Sequence, residues 1–147
     1  MTGVIRWGAS GCPRRDGDGA LTTVREIMST QLVAVEPSAN LTEAARAMST
    51  GRAGSVLVIQ DGALVGIFTE RDILRALASS PSADAARVSH VSAWMTRDPE
   101  TVGPDTVVGE ALDRMLFGGF RHVPVMEGDT VVGVVSMRDL AKSIAEG

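Results

Sequence analysis

The 147-residue sequence has one cysteine, two histidines and no tyrosine, and aromatic residues make up 3% of it. Cys12 has no second thiol for an internal disulfide, and with only His90 and His122 beside it there is no ligand set of the zinc type. So few aromatic rings leave little stacking surface for a single-stranded nucleic acid. The formal net charge of −4, with no dense lysine or arginine stripe, does not provide the cations that duplex phosphates require. No apolar run approaches the ~20 residues of a membrane span, and the first residues lack the basic-then-apolar order of a secretory signal. The expectation is a cytoplasmic protein with no structural metal, no required cofactor, no membrane contact and no nucleic-acid partner.

Catalytic signatures are missing as well. Cys12 has no plausible base near it, neither histidine adjoins a serine-nucleophile motif, and there is no Walker-type loop or GxGxxG following a strand. The chain reads as a non-enzyme.

What the sequence does contain is 44% hydrophobic and 22% charged residues, the balance of a globular protein, and an internal repeat. Offset by the 67 positions that separate Met28 from Met95, the chain aligns with itself without a gap from those methionines to Asp72 and Asp139. Glu43, Ala44, Met48, Gly51, Val56, Val58, Val65, Gly66 and Arg71 meet identical residues at Glu110, Ala111, Met115, Gly118, Val123, Val125, Val132, Gly133 and Arg138.

Each copy has the same order of elements. Leu41, Ala44, Ala45 and Met48 recur at helical spacing behind an Asn40 cap and a Glu43 that completes a capping box. Val108, Ala111, Leu112, Met115 and Leu116 repeat that face. Ser55 to Ile59 and Leu64 to Phe68 are strand-like runs joined by Asp61-Gly62, a strong hairpin signal. A helix follows with Ile73, Leu74, Leu77 and Ala78 on its apolar face, and Pro81 lies beyond its end. Val33 to Val35 and Thr101-Val102 are short entering strands. The fold class is therefore α+β, two β-α-β-β-α repeats packed as a pseudo-two-fold pair, since a copy of about 55 residues buries too little surface alone. The expected boundaries are a flexible tail over 1–20, copies over 21–80 and 90–147, and a connector over 81–89. The tail holds Trp7, Cys12 and Arg14-Arg15.

The last strand of each copy runs into its helix through GIFTERD (66–72) and GVVSMRD (133–139), in which a hydroxyl residue stands three places before an aspartate. Two such copies resemble the paired cystathionine-β-synthase (CBS) domains, or Bateman module, over about residues 22 to 146. Taken alone, Thr69 with Asp72 and Ser136 with Asp139 are also what a capping box requires. A helix start suits a phosphate, however, and an aspartate at its rim can accept from ribose hydroxyls.

The resemblance implies that Thr69 and Ser136 lie near phosphate or ribose and that Asp72 and Asp139 hold the ribose. The ligand it implies is an adenine nucleotide, AMP, ADP or ATP, bound in clefts between the copies. It also implies that the first junction faces Arg97 to Thr101 and Phe120-Arg121-His122, and the second Thr30 to Val33 and Ala53-Gly54-Ser55. Arg121 and His122 replace the uncharged Gly54 and Ser55, so unequal affinities are expected; charge-assisted hydrogen bonds are roughly twice as strong as neutral ones. Arg71 and Arg138 sit in first helical turns, where the dipole disfavours a cation, and read either as phosphate contacts or as partners of a nearby carboxylate. Ile67, Val134, Val33, Thr101 and Val102 are candidates for the adenine slot or for ordinary core.

The function expected is a regulator that signals nucleotide occupancy through a homodimer or a separate downstream partner. The alternative is a constitutive interaction module with unoccupied clefts.

Overall fold

The computed structural model describes residues 21–146; the expected tail with Trp7, Cys12 and Arg14-Arg15 lies outside them, as does Gly147. In chain order the elements are α1 (Val24–Ile27), β1 (Ala34–Val35), α2 (Leu41–Gly51), β2 (Ser55–Gln60), β3 (Ala63–Thr69), α3 (Glu70–Ser79), α4 (Ala83–Val88), a 3-10 turn (Val91–Ala93), β4 (Thr96–Arg97), α5 (Val108–Gly118), β5 (His122–Glu127), β6 (Thr130–Ser136) and α6 (Met137–Glu146). The chain is α+β, with the repeated order that its periodicity predicts.

The described residues form two compact units, one from Gln31 to Pro99 and the other from residues 21–30 together with residues 100–146. The opening segment of each expected copy, residues 22–29 and 89–97, thus belongs to the unit of the other copy. Residues 89–97 pack on the first hairpin and residues 22–29 on the second, with matching bonds. The Leu41 amide donates to the Ser89 carbonyl at 3.1 Å, and the Val108 amide donates to the Thr22 carbonyl at 3.0 Å.

In the Gln31–Pro99 unit the sheet order is β1-β2-β3-β4, with β1 parallel to β2 and the other neighbours antiparallel. Leu41, Ala44 and Met48 of α2 bury against Val56, Val58 and Phe68, and Val91 and the partly buried Trp94 and Met95 complete this core. Asn40 Oδ1 accepts the Glu43 amide at 2.8 Å while the Glu43 carboxylate accepts the Asn40 amide at 2.9 Å, so the capping box forms. Asp61 and Gly62 both take positive φ, 53° and 81°, which a two-residue type I′ hairpin requires.

The face of α3 differs from its hydrophobic spacing. Asp72 and Ala76 are buried, whereas Leu74 is 67% and Leu77 45% exposed. The turn out of β3 directs the i, i+4 row of Asp72 and Ala76 inward, so a small and an acidic residue occupy the face that a stripe rule gives to leucine. The expected connector is also more ordered than its composition suggests. It contains α4, capped by Ser82, whose Oγ accepts the Ala85 amide at 3.1 Å, and anchored by the buried Ala86.

In the other unit β5 and β6 pair, Val102 bridges Val125 in parallel, and Ser29 bridges Val134, filling the positions that β1 and β4 hold in the first. Its core contains Val24, Val108, Ala111, Leu112, Met115, Val123, Val125, Val135 and Leu140. Fully burying one such aliphatic side chain contributes about 1.5–3 kcal/mol. Met115 is fully buried, but Leu116, which shares its predicted stripe, is 61% exposed.

Candidate functional site

The hairpin register brings each strand start to its own junction, because Ser55 pairs with Thr69 and His122 with Ser136. The first helical amide of α3, at Glu70, donates to the Gly54 carbonyl at 3.1 Å, and that of α6, at Met137, donates to the Arg121 carbonyl at 2.8 Å. One of the orphan amides that a helix start would offer an anion is therefore satisfied by the fold itself.

At the first junction both oxygens of the carboxylate are engaged. Asp72 Oδ2 accepts the Thr69 amide at 2.9 Å and its hydroxyl at 3.3 Å, and Oδ1 accepts Arg75 Nη1 at 2.7 Å. The Asp72 side chain is 6% exposed and that of Arg75 is 55% exposed. Arg75 is held from its other side as well. Its Nη1 donates to the Trp94 carbonyl at 3.3 Å, and its guanidinium carbon stands 5.8 Å from the indole centroid. A cation over tryptophan gains attraction from the ring quadrupole.

At the second junction the capping box is reciprocal. Asp139 Oδ2 accepts the Ser136 amide at 3.0 Å, and the Asp139 amide donates to Ser136 Oγ at 3.1 Å. Among the described residues Oδ1 of Asp139 accepts no hydrogen bond, and the side chain is half-buried. Lys142 stands where Arg75 stands in the first copy and is exposed, with no ion pair among the described residues; Ile27 stands where Trp94 does.

The remaining candidates divide in two. Ile67 and Val134 lie on the last strands, Ile67 5% exposed opposite Thr96 and Val134 half-buried opposite Ser29, next to the exposed Thr30. Arg97 pairs opposite Gly66 and donates to the Ser92 carbonyl at 3.2 Å. Ala53 and Gly54 are half-buried, Ser55 is buried and Arg121 is exposed. Arg71 and Arg138 are exposed, and neither forms an ion pair among the described residues. Val33 and Val102 sit against the cores of their units. Val33 packs against the first core and over Gly51, Val102 is 3% exposed, and the Thr101 carbonyl accepts from Arg114 at 3.2 Å. Arg75 and Trp94 were not among the expected residues. Arg75 is legible as an i, i+3 partner of Asp72 on one helix, while Trp94 reaches it only through the exchanged segment.

Comparison with known proteins gives this geometry a family. The CBS domain model matches residues 24–79 and 88–146. An uncharacterized 17.7 kDa protein of Acidianus ambivalens is 41% identical over 127 residues, 85% of this chain and 74% of that protein. The chain spans only 22% of a longer Arabidopsis thaliana relative, CBS domain-containing protein CBSCBSPB5, at 36% identity over 83% of its own length.

Among solved structures, the CBS-domain containing protein ATU1752 from Agrobacterium tumefaciens has a TM-score of 0.76 at 32% identity, over 83% of this chain and 92% of that one. The CBS domain pair of protein MJ0100, solved in complex with 5′-methylthioadenosine and S-adenosyl-L-methionine, has a TM-score of 0.76 at 26% identity, over 85% and 97%. Among the described residues no helix is long and apolar enough to cross a membrane. With a matched segment for each copy and the same strand-to-helix junction in both, this chain belongs to the CBS-domain family and carries two CBS domains.

Proposed function

We propose that the chain is a non-enzymatic regulatory module that binds an adenine nucleotide, AMP, ADP or ATP, at its strand-to-helix junctions and reports occupancy through a homodimer or partner surface. The observation that carries this reading is Asp139, at the start of a ten-residue helix, which among the described residues keeps one carboxylate oxygen open while the other is fixed by its own backbone. A carboxylate fixed in this way is pre-oriented to accept from a ribose hydroxyl. Arg138 in the same helical turn and Arg121 at the adjoining strand start are exposed cations within the same unit, suited to a phosphate. The adenosine-bearing ligands of protein MJ0100 point the same way.

Titration calorimetry with AMP, ADP and ATP tests the reading, with saturable heat expected in the unmodified protein and loss of heat in the Asp72→Ala, Asp139→Ala double variant. Absence of heat with all three nucleotides overturns it.

A second reading, a constitutive interaction module, is favoured by one observation. Leu74, Leu77, Leu116 and Phe117 are exposed on the helices, Phe117 to 97%. Beside Leu77 an apolar groove lined by Leu41, Ala45, Ile73 and Ala86 opens between α2, α3 and α4. Light scattering and thermal melting with and without nucleotide separate the two readings, since a constitutive module keeps its mass and melting temperature unchanged.

A further inference from the structure

We propose that Arg75 is a specificity-determining residue that withholds the first junction from ligand, so that nucleotide goes to the Asp139 junction first. This inference rests on the nucleotide-binding reading given above and deepens it.

The argument is a count of acceptor sites. An ionised carboxylate offers about four lone-pair positions over two oxygens. Asp72 commits three of them, to the Thr69 amide, the Thr69 hydroxyl and Arg75, and both of its oxygens are occupied. Asp139 commits one, to the Ser136 amide, and keeps an entire oxygen open among the described residues.

The hydroxyl residues differ in the same sense. A carboxylate cannot donate, so at 3.3 Å the Thr69 hydroxyl must spend its own proton on Asp72. Ser136 Oγ accepts from the Asp139 amide, a capping role the Thr69 side chain shares toward the Asp72 amide, but among the described residues it donates to no carboxylate, which leaves its proton for a phosphate or ribose oxygen. Among the described residues, a ligand at the second junction therefore meets a carboxylate oxygen with no donor on it and a hydroxyl proton not given to that carboxylate, whereas at the first both oxygens already carry a donor and the hydroxyl proton is given to one of them.

The ion pair is also costly to open. The Asp72 side chain is 6% exposed, and removing the one cation it pairs with among the described residues would leave a buried charge uncompensated. Trp94 also contacts the guanidinium by its ring and its carbonyl, so releasing Arg75 breaks three contacts together. The repeat provides an internal control. Two replacements between otherwise matching positions, Arg75 against Lys142 and Trp94 against Ile27, remove this clamp from the second copy. Ordinary helix capping does not explain it, because both copies keep their capping contacts and only one carries the clamp.

Calorimetric titration with AMP of the full chain and three variants tests the proposal. Arg75→Met keeps the stem over Trp94 without the charge, Arg75→Lys keeps a cation, and Asp139→Asn keeps a side-chain acceptor for the Ser136 amide. The unmodified chain is expected to bind one AMP per chain in the accessible range, and Asp139→Asn to weaken that event at least tenfold. Arg75→Met is expected to add a second event of comparable affinity, and Arg75→Lys to stay closer to the unmodified stoichiometry. A purely structural role for Arg75 would change the melting temperature without changing the stoichiometry.

Two equal sites in the unmodified chain, or one site in Arg75→Met, overturn the inference and leave nucleotide binding standing. Absence of heat in the unmodified chain and in Arg75→Met alike overturns nucleotide binding itself, and the inference with it.

Discussion

The sulfur of Met95 lies 2.6 Å from the point where a Cβ on Gly66 would be, and the sulfur of Met28 lies 2.5 Å from the corresponding point over Gly133. The backbone closes the same space, with the Thr96 carbonyl 2.9 Å and the Ser29 carbonyl 3.0 Å from those points. The repeated glycines are therefore the places where the exchanged segments cross the last strands, and the methionines repeat at the same offset because they are the crossing residues.

Gly66→Ala and Gly133→Ala should each destabilise the chain by roughly 1–3 kcal/mol, the range for overpacking, because a carbonyl cannot rotate away as a side-chain tip can. Urea unfolding of the two variants checks this. Alanine ordinarily stabilises a strand relative to glycine, so an unchanged or higher midpoint would show that the crossing is looser than the distances state.

The caps of α2 and α5 give a matched pair. Asn40 accepts the Glu43 amide, whereas Val107, the residue at the corresponding position, has no side-chain acceptor. Asn40→Ala should lose about 1 kcal/mol, and Val107→Asn should gain some tenths of a kcal/mol, with Glu110 in place to complete a capping box. Chemical denaturation of both variants reads the sign directly.

Elements whose signal is local were legible in the sequence. Asp61-Gly62 specified its turn, Asn40 and Glu43 specified a helix start, and the Val- and Ile-rich runs on either side of that turn specified the first hairpin, which the repeat carries over to the second copy. The exchange of segments 22–29 and 89–97 was not legible, because it depends on which hairpin each segment reaches, and Gly66 and Gly133 offer both segments the same kind of crossing point. The site divided along the same line. Thr69, Asp72, Ser136 and Asp139 stand out by repetition, but the clamp on Asp72 needs Trp94, which the exchange delivers from 19 residues beyond Arg75. Leu74 and Leu77 misled the hydrophobic stripe because apolar periodicity does not distinguish a face turned to the core from one left on the surface.

That distinction predicts a split among neighbouring residues of α5. Met115→Ala should cost about 2–5 kcal/mol, as a truncation in a closed core does. Phe117→Ser, two residues on and 97% exposed, should stay within about 0.5 kcal/mol of the parent in dilute monomer. If α5 also forms the surface through which occupancy is reported, Phe117→Ser combined with Leu116→Ser should lower the mass measured by light scattering. An unchanged mass would exclude these residues as the assembly surface.

The asymmetry of the two aspartates should be measurable without any ligand. Asp72→Ala removes the acceptor from the Thr69 amide and from Arg75 together, and hydrogen bonds to charged groups are worth about 1.5–3 kcal/mol each. Asp139→Ala removes the acid half of a capping box whose serine still accepts from the helix, a loss of about 0.5–2 kcal/mol. Asp72→Ala should therefore unfold at lower urea than Asp139→Ala, with a gap of about 1 kcal/mol or more. Because Asp72 is nearly excluded from solvent, much of that gap should persist in molar salt, where an exposed ion pair would be screened away. Equal losses in the two variants would mean that Arg75 does not hold Asp72 in solution, and the clamp would then have no energetic basis.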